Sequence, residues 1–236
     1  MTTNFLKTGL AALFGSAFLL ANTGYATPYT FNSVGDTVTV NYDGNIDETS
    51  GISGLTAQTK FTLTGISTNI LSFDITIENT SSDSIWEDTR ISAIGFNTNP
   101  DITNASVITP PSSWFAVLDS SFPNNFGAID ICFKEGGGER NCEGGGGGGI
   151  SLGDDPVTLQ VALTFVGTPP PVTFDNFGVR YQSLTSSNLG YNGASGTGNG
   201  TPDIPQPPSQ IPEPASMLLL GAGLTGLGLI RRRKLA

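Results

Sequence analysis

The sequence predicts an all-β fold, an antiparallel β-sandwich of jelly-roll or immunoglobulin-like kind, with an N-terminal signal peptide and a C-terminal single transmembrane helix. Three observations predict it. Eight short runs rich in Val, Ile, Thr, Phe and Tyr succeed one another between residues 36 and 184. Several alternate apolar and polar residues with the period of two that gives a strand one buried and one wet face. Clusters of turn formers separate them, and no segment of this region sustains a helical period.

At the start, MTTNFLKTGLAALFGSAFLLANTGYA has one basic residue, Lys7, then an apolar run from Gly9 to Ala21, then Gly24 and Ala26 around Tyr25. This is the pattern of a secretory signal peptide, residues 1–26, cut by signal peptidase after Ala26. The alternative, a buried first helix, would carry polar residues along one face, and this run has almost none.

Residues 27–184 supply the sandwich. Its expected strands are DTVTVNY, KFTLTGI, LSFDITIEN, RISAIGF, WFAVLD, AIDICF, VTLQVALTFV and FGVRYQSL. In the third, Leu71, Phe73, Ile75 and Ile77 point one way and Ser72, Asp74, Thr76 and Glu78 the other. In the seventh, Val157, Leu159, Val161, Leu163 and Phe165 share a face. NTSSDS, NTNPD and SFPNNFG are the turns between them.

From residue 185 the composition changes. TSSNLGYNGASGTGNGTPDIPQPPSQ offers almost nothing to bury, so residues 185–210 read as a flexible Gly/Ser/Pro-rich linker, reaching on the order of 30 Å as a free chain.

The last region, residues 211–236, begins with Pro212, Glu213 and Pro214. Residues 215–230 are apolar or small, and Arg231, Arg232, Arg233 and Lys234 follow. Sixteen residues make a helix of about 24 Å, slightly short of a hydrocarbon core of roughly 30 Å. The basic residues can snorkel to close that gap, and they mark the cytoplasmic side. The segment therefore reads as an inner-membrane anchor with the sandwich outside; Gly221, Gly223, Gly226 and Gly228 suit a transient station better than a permanent span, although length and charge alone do not reject an ordinary single-pass anchor.

Charge and composition exclude several functions. All twenty acidic residues lie between Asp36 and Glu213, against five basic ones (Lys60, Arg90, Lys134, Arg140 and Arg180), which leaves the exported part at −15. Such a surface repels phosphates, so nucleic acid is not a partner. Histidine is absent, which removes the commonest general base and metal ligand together with the Ser-His-Asp and Cys-His arrangements. SxxK does not occur. No enzymatic activity and no cofactor are expected.

Cys132 and Cys142 are the two cysteines. In an exported chain such a pair forms a disulfide, here closing an eleven-residue loop worth about 2.7 kcal/mol of chain entropy. The alternative, free or metal-binding thiols, has no CxxC spacing or histidine behind it. The surrounding glycine block, GGGERNCEGGGGGGI, lacks the phosphate-loop pattern and carries Glu135, Glu139 and Glu143 about it. It reads as a flexible, disulfide-stapled loop suited to contacting a partner.

Asp43, Asn45 and Asp47 have the alternate-oxygen spacing of a calcium loop, without its glycine and bidentate Glu. They are the candidate metal ligands, against an ordinary Asx-turn. Asp83, Glu87 and Asp88 around Trp86 are the nearest approach to a glycosidase carboxylate pair, with Trp86 as a sugar platform. Turn charges beside a core tryptophan explain them as simply, and Trp114 likewise reads as core.

The tail resembles the PEP-CTERM sorting signal of Gram-negative and cyanobacterial envelopes, through Pro212-Glu213-Pro214, the apolar segment and the Arg-rich end in that order. The resemblance implies an exosortase as partner, cutting near the tripeptide to release or transfer the exported part. It also implies association with exopolysaccharide and biofilm. NYDGNID, ENTSSDSI, RISAIGFNTNP, ICFKEGGGERNCEGGGGGGI and FGVRYQSL resemble one subfamily, the cistern proteins. The expected function is thus a non-enzymatic cell-surface or matrix protein. A carbohydrate-binding module for the exopolysaccharide is the alternative, and a secreted glycosidase the third.

Overall fold

A computed structural model describes residues 27–109, 113–136, 141–143 and 147–204. The signal peptide with Ala26, the apolar segment 215–230 and the whole sorting signal lie outside the described residues. Within them the chain is all-β, and no helix is long and apolar enough to cross a membrane.

Fourteen strands follow in order: β1 Tyr29–Phe31, β2 Thr37–Tyr42, β3 Asn45–Ile46, β4 Thr49–Ser50, β5 Ala57–Ser67, β6 Ile70–Asn79 and β7 Asp88–Asn99; then β8 Ile102–Thr109, β9 Trp114–Phe122, β10 Gly127–Glu135, β11 Ile150–Ser151, β12 Val157–Phe165, β13 Val172–Ser186 and β14 Tyr191–Asp203. Every pairing is antiparallel. All eight strands expected from the sequence are present. Their alternation is real: Leu71, Phe73, Ile75 and Ile77 are wholly buried while Ser72, Asp74, Thr76 and Glu78 are half-buried.

The strands run β8-β12-β6-β5-β2-β14-β13-β7-β10-β9 in one continuous, nearly barrel-shaped sheet. β8 and β9, its two ends, lie beside each other without a ladder between them. The sheet folds into two layers at β14. Residues 191–199 of β14 pair with β13, whereas residues 200–203 pair with β2. One strand thus belongs to both layers, as at the corners of closed sandwiches.

Of the linker expected over residues 185–210, this overturns residues 185–203; residues 205–210 lie outside the described residues. Residues 185–186 end β13, and residues 191–203 are a central strand. Gly196, Gly198 and Gly200 make the crossing feasible. A Cβ on Gly196 would lie 2.5 Å from the carbonyl oxygen of Asn45, and one on Gly200 2.6 Å from Val40 Cγ1. At Gly198 the obstruction is closer still, the carbonyl oxygen of Asp43. What reads as low-complexity linker is a strand pressed against neighbouring backbone, where a side chain does not fit.

Between the layers lies a core dominated by phenylalanine: Phe31, Phe61, Phe73, Phe96, Phe174 and Phe177 are all buried. Phe96 stacks on Phe174 at 4.4 Å and meets Phe61 edge-on at 5.3 Å, the offset and T-shaped geometries that aromatic quadrupoles favour. A second, smaller cluster forms separately from Ala93, Phe122, Ile129, Cys132 and Cys142. It lies on the outer side of β7 and β10, with the disulfide as part of its cover.

Candidate functional site

The densest polar construction is built around the disulfide. Cys132 in β10 is joined to Cys142, with Cα atoms 6.2 Å apart, which agrees with the pairing expected from the sequence. The Cys142 N–H donates to Ser120 Oγ in β9 at 3.0 Å.

Two arginines reach the loop from the sheet. Arg180, projecting from β13, donates through Nε to the carbonyl of Glu143 at 2.7 Å. It also donates through Nη1 to the carbonyl of Gly196 at 2.7 Å and through Nη2 to Ser195 Oγ at 3.0 Å. Burial lowers the pKa of this guanidinium, and the Glu143 carboxylate opposes the shift. Arg90, in β7, donates to the carbonyl of Gly148 and to Gln182 Oε1. The described residues of the glycine block therefore lie against the sheet, held at Cys142, Glu143 and Gly148. Three carbonyl acceptors held by charged donors tie this loop, β13 and β14 into one unit.

The candidate calcium ligands are separated by the fold. Asp43 Oδ1 accepts the Asn199 N–H at 2.8 Å. Asn45 lies in β3 opposite Thr197, and Asp47 occupies the β3–β4 hairpin turn with φ 48°. Positive φ at Asp47 and Glu48 is the signature of a two-residue hairpin. Among the described residues no three His, Cys, Asp or Glu side chains gather closely enough to hold a cation.

Both tryptophans are buried. Trp86 stacks on Tyr191 at 5.6 Å, and its Nε1 donates to the Ser53 carbonyl at 3.1 Å; Trp114 is likewise in the core. Neither offers a face to a sugar. Glu87 accepts the Ser187 N–H at 3.1 Å, and its hydrogen bonds to Ser187 hold its pKa below the usual value. Asp83, Glu87 and Asp88 are exposed.

Sequence reasoning missed a different carboxylate pair. Asp175 in β13 lies opposite Asn97 in β7, and the Asp130 N–H donates to Asn97 Oδ1 at 3.1 Å. Partial burial, and then the Asp130 charge, raise the Asp175 pKa. Asp130 in turn accepts the Thr98 N–H at 2.7 Å. The 44 residues between Asp130 and Asp175 hide this row. A second such group is the Tyr42–Tyr181 pair: burial raises both phenols, and their hydroxyls are held by Thr59 Oγ1 and the Asp43 carbonyl.

Chemically, this domain offers structural polar contacts and one raised carboxyl. The comparison with known families concerns the tail. Residues 210–234 match the PEP-CTERM protein-sorting motif. The chain carries an exosortase sorting signal. The match contains Pro212, Glu213, Pro214, Arg231, Arg232, Arg233 and Lys234, every residue singled out in the tail. No curated protein and no solved structure matches the chain.

Proposed function

We propose that this is an exported surface or matrix protein, non-enzymatic, held at the inner membrane by its PEP-CTERM tail until an exosortase cuts near Pro212-Glu213-Pro214. The released or transferred domain then becomes part of the extracellular polysaccharide layer. We assign it, within the PEP-CTERM proteins, to the cistern type, on the stretches named above.

The observation that carries the reading is the sorting-motif match over residues 210–234. Three features support it. The acidic, histidine-free composition suits a soluble spacer that repels its own copies. The disulfide suits an oxidising compartment. The strand β14 ends at Asp203, which suits a cut near Pro212 that spares the sheet. The buried tryptophans weigh against a carbohydrate-binding module that grips polymer through Trp86 or Trp114.

Deletion of residues 212–236 tests it. The proposal expects loss of membrane retention and of surface delivery, read by fractionating membrane, envelope and medium. Unchanged localisation of the truncated chain would defeat it.

A further inference from the structure

Seven large apolar side chains are exposed among the described residues: Val34, Ile66, Ile70, Ile108, Phe115, Val166 and Leu189. Isolated exposed aliphatics are ordinary, but the distribution of these is uneven. Val34 follows β1, Ile66 closes β5, Ile70 opens β6 and Val166 follows β12. Their loops are hydrogen-bonded to one another at one end of the sandwich. Gly35 N–H donates to the Leu63 carbonyl at 2.8 Å, Phe165 N–H to the Asn69 carbonyl at 2.9 Å, and Val166 N–H to the Asp101 carbonyl at 2.9 Å.

β14 leaves the domain at this same end. Asp203 pairs with Thr39 near the start of β2, and Thr39 with Lys60 in β5. Residues 204–211 then separate the strand from Pro212. Eight residues span about 28 Å at full extension, and roughly 16 Å as a flexible chain. The thirteen-residue β14 is itself about 43 Å long, so the opposite end, with Leu189, lies beyond that tether, and Phe115 sits midway, level with Thr197. The chain outside the sheet thus brings one end, and only that end, to the bilayer surface.

We infer that the end bearing Val34, Ile66, Ile70 and Val166 docks on the lipid headgroup layer while the tail is in the membrane. The occupant is a zwitterionic lipid surface. Branched aliphatics suit a shallow apolar contact, whereas Asp36, Asp101 and Asp203 at this end would repel anionic headgroups. Docking end-on holds the tether slack beside the membrane, where the cut is made. The inference rests on the membrane-anchored reading of the tail.

The test places the full chain in phosphatidylcholine vesicles at less than one chain per vesicle, with no other protein present. Flotation first asks whether the chain is anchored, and hydroxyl-radical footprinting then reads side-chain exposure. In the floated chain, labelling at Val34, Ile66, Ile70 and Val166 is expected to be lost, while Ile108, Phe115 and Leu189 keep theirs. The double variant Val34→Asp with Val166→Asp, at two positions each 57% exposed, is expected to restore labelling at Ile66 and Ile70. Equal labelling of both ends in a floated chain would overturn the docking and leave the anchored tail standing. It would turn attention to the exosortase or a second copy as the cover. A chain that fails to float overturns both.

Discussion

Residues 191–203 and residues 136–149 are both glycine-rich and both poor in apolar side chains, yet the fold uses them in opposite ways. The first is a central strand shared by the two layers. Three of its four glycines recur at every second position, 196, 198 and 200, and face backbone or side chains too near for a Cβ, while Gly193 lies off that row with nothing within 4 Å. The second is a loop whose glycines come in consecutive runs. Of those described, Gly147 meets nothing within 4 Å, whereas Gly148 and Gly149 press on the Glu135 side chain and the Ile91 carbonyl, and the loop is placed by a disulfide and two arginines rather than by a ladder. Glycine content does not distinguish a strand from a loop. Spacing does, because period two is the repeat of a pleated face.

Substitutions that separate the two regions put this contrast at risk. The largest effect is expected at Gly198→Val, whose side chain must displace the Asp43 backbone. A loss of about 4 kcal/mol or more, in the range of severe core defects, should appear in urea unfolding. A stable Gly198→Val protein would return this stretch to linker. Next comes Arg180→Met, which strips the Glu143 and Gly196 carbonyls of a charged donor; about 3 kcal/mol is expected. Because Arg180 touches both regions, calorimetry of this variant also shows whether loop and strand unfold together.

Removing the disulfide with Cys132→Ala and Cys142→Ala should cost about 2.7 kcal/mol and expose Phe122 and Phe126, raising the binding of an apolar dye.

The remaining effects are small. Asp175 has a raised carboxyl pKa, so the folded state holds its proton more tightly than the unfolded chain. Stability from this group therefore falls as pH rises through that pKa. Asp175→Asn should stabilise the domain at neutral pH by less than about 1 kcal/mol, with the gain vanishing below about pH 3.8. Gly147→Ala should change stability by no more than about 0.5 kcal/mol.

The strands with strict alternation were readable because burial falls on one side of each: β6 and β12 could be named residue by residue. β8 and β14 were not. Residues 102–108 are half-exposed or exposed at a sheet end, and their Asn, Ser and Thr residues look like turn chemistry. β14 buries backbone instead of side chains, so hydrophobic periodicity has nothing to register. The tryptophans and the cysteine pair were legible from residue type alone. The calcium spacing was misleading, since Asp47 is set by a hairpin turn and Asp43 by a hydrogen bond to a residue 156 positions away. Likewise, the Asp130–Asn97–Asp175 row depends on strand order, which no local pattern encodes. The sorting tail was legible, because the motif matched over residues 210–234 is one of linear order.

The most direct test of the account is the intact mass of the exported protein, taken from medium and envelope, with and without the host's exosortase. The account predicts a mass running from residue 27 to about residue 213, found only when the enzyme is present, with any excess identifying the attached group. A mass that runs through Ala236 in both strains would contradict it, and the tail would be a plain membrane anchor.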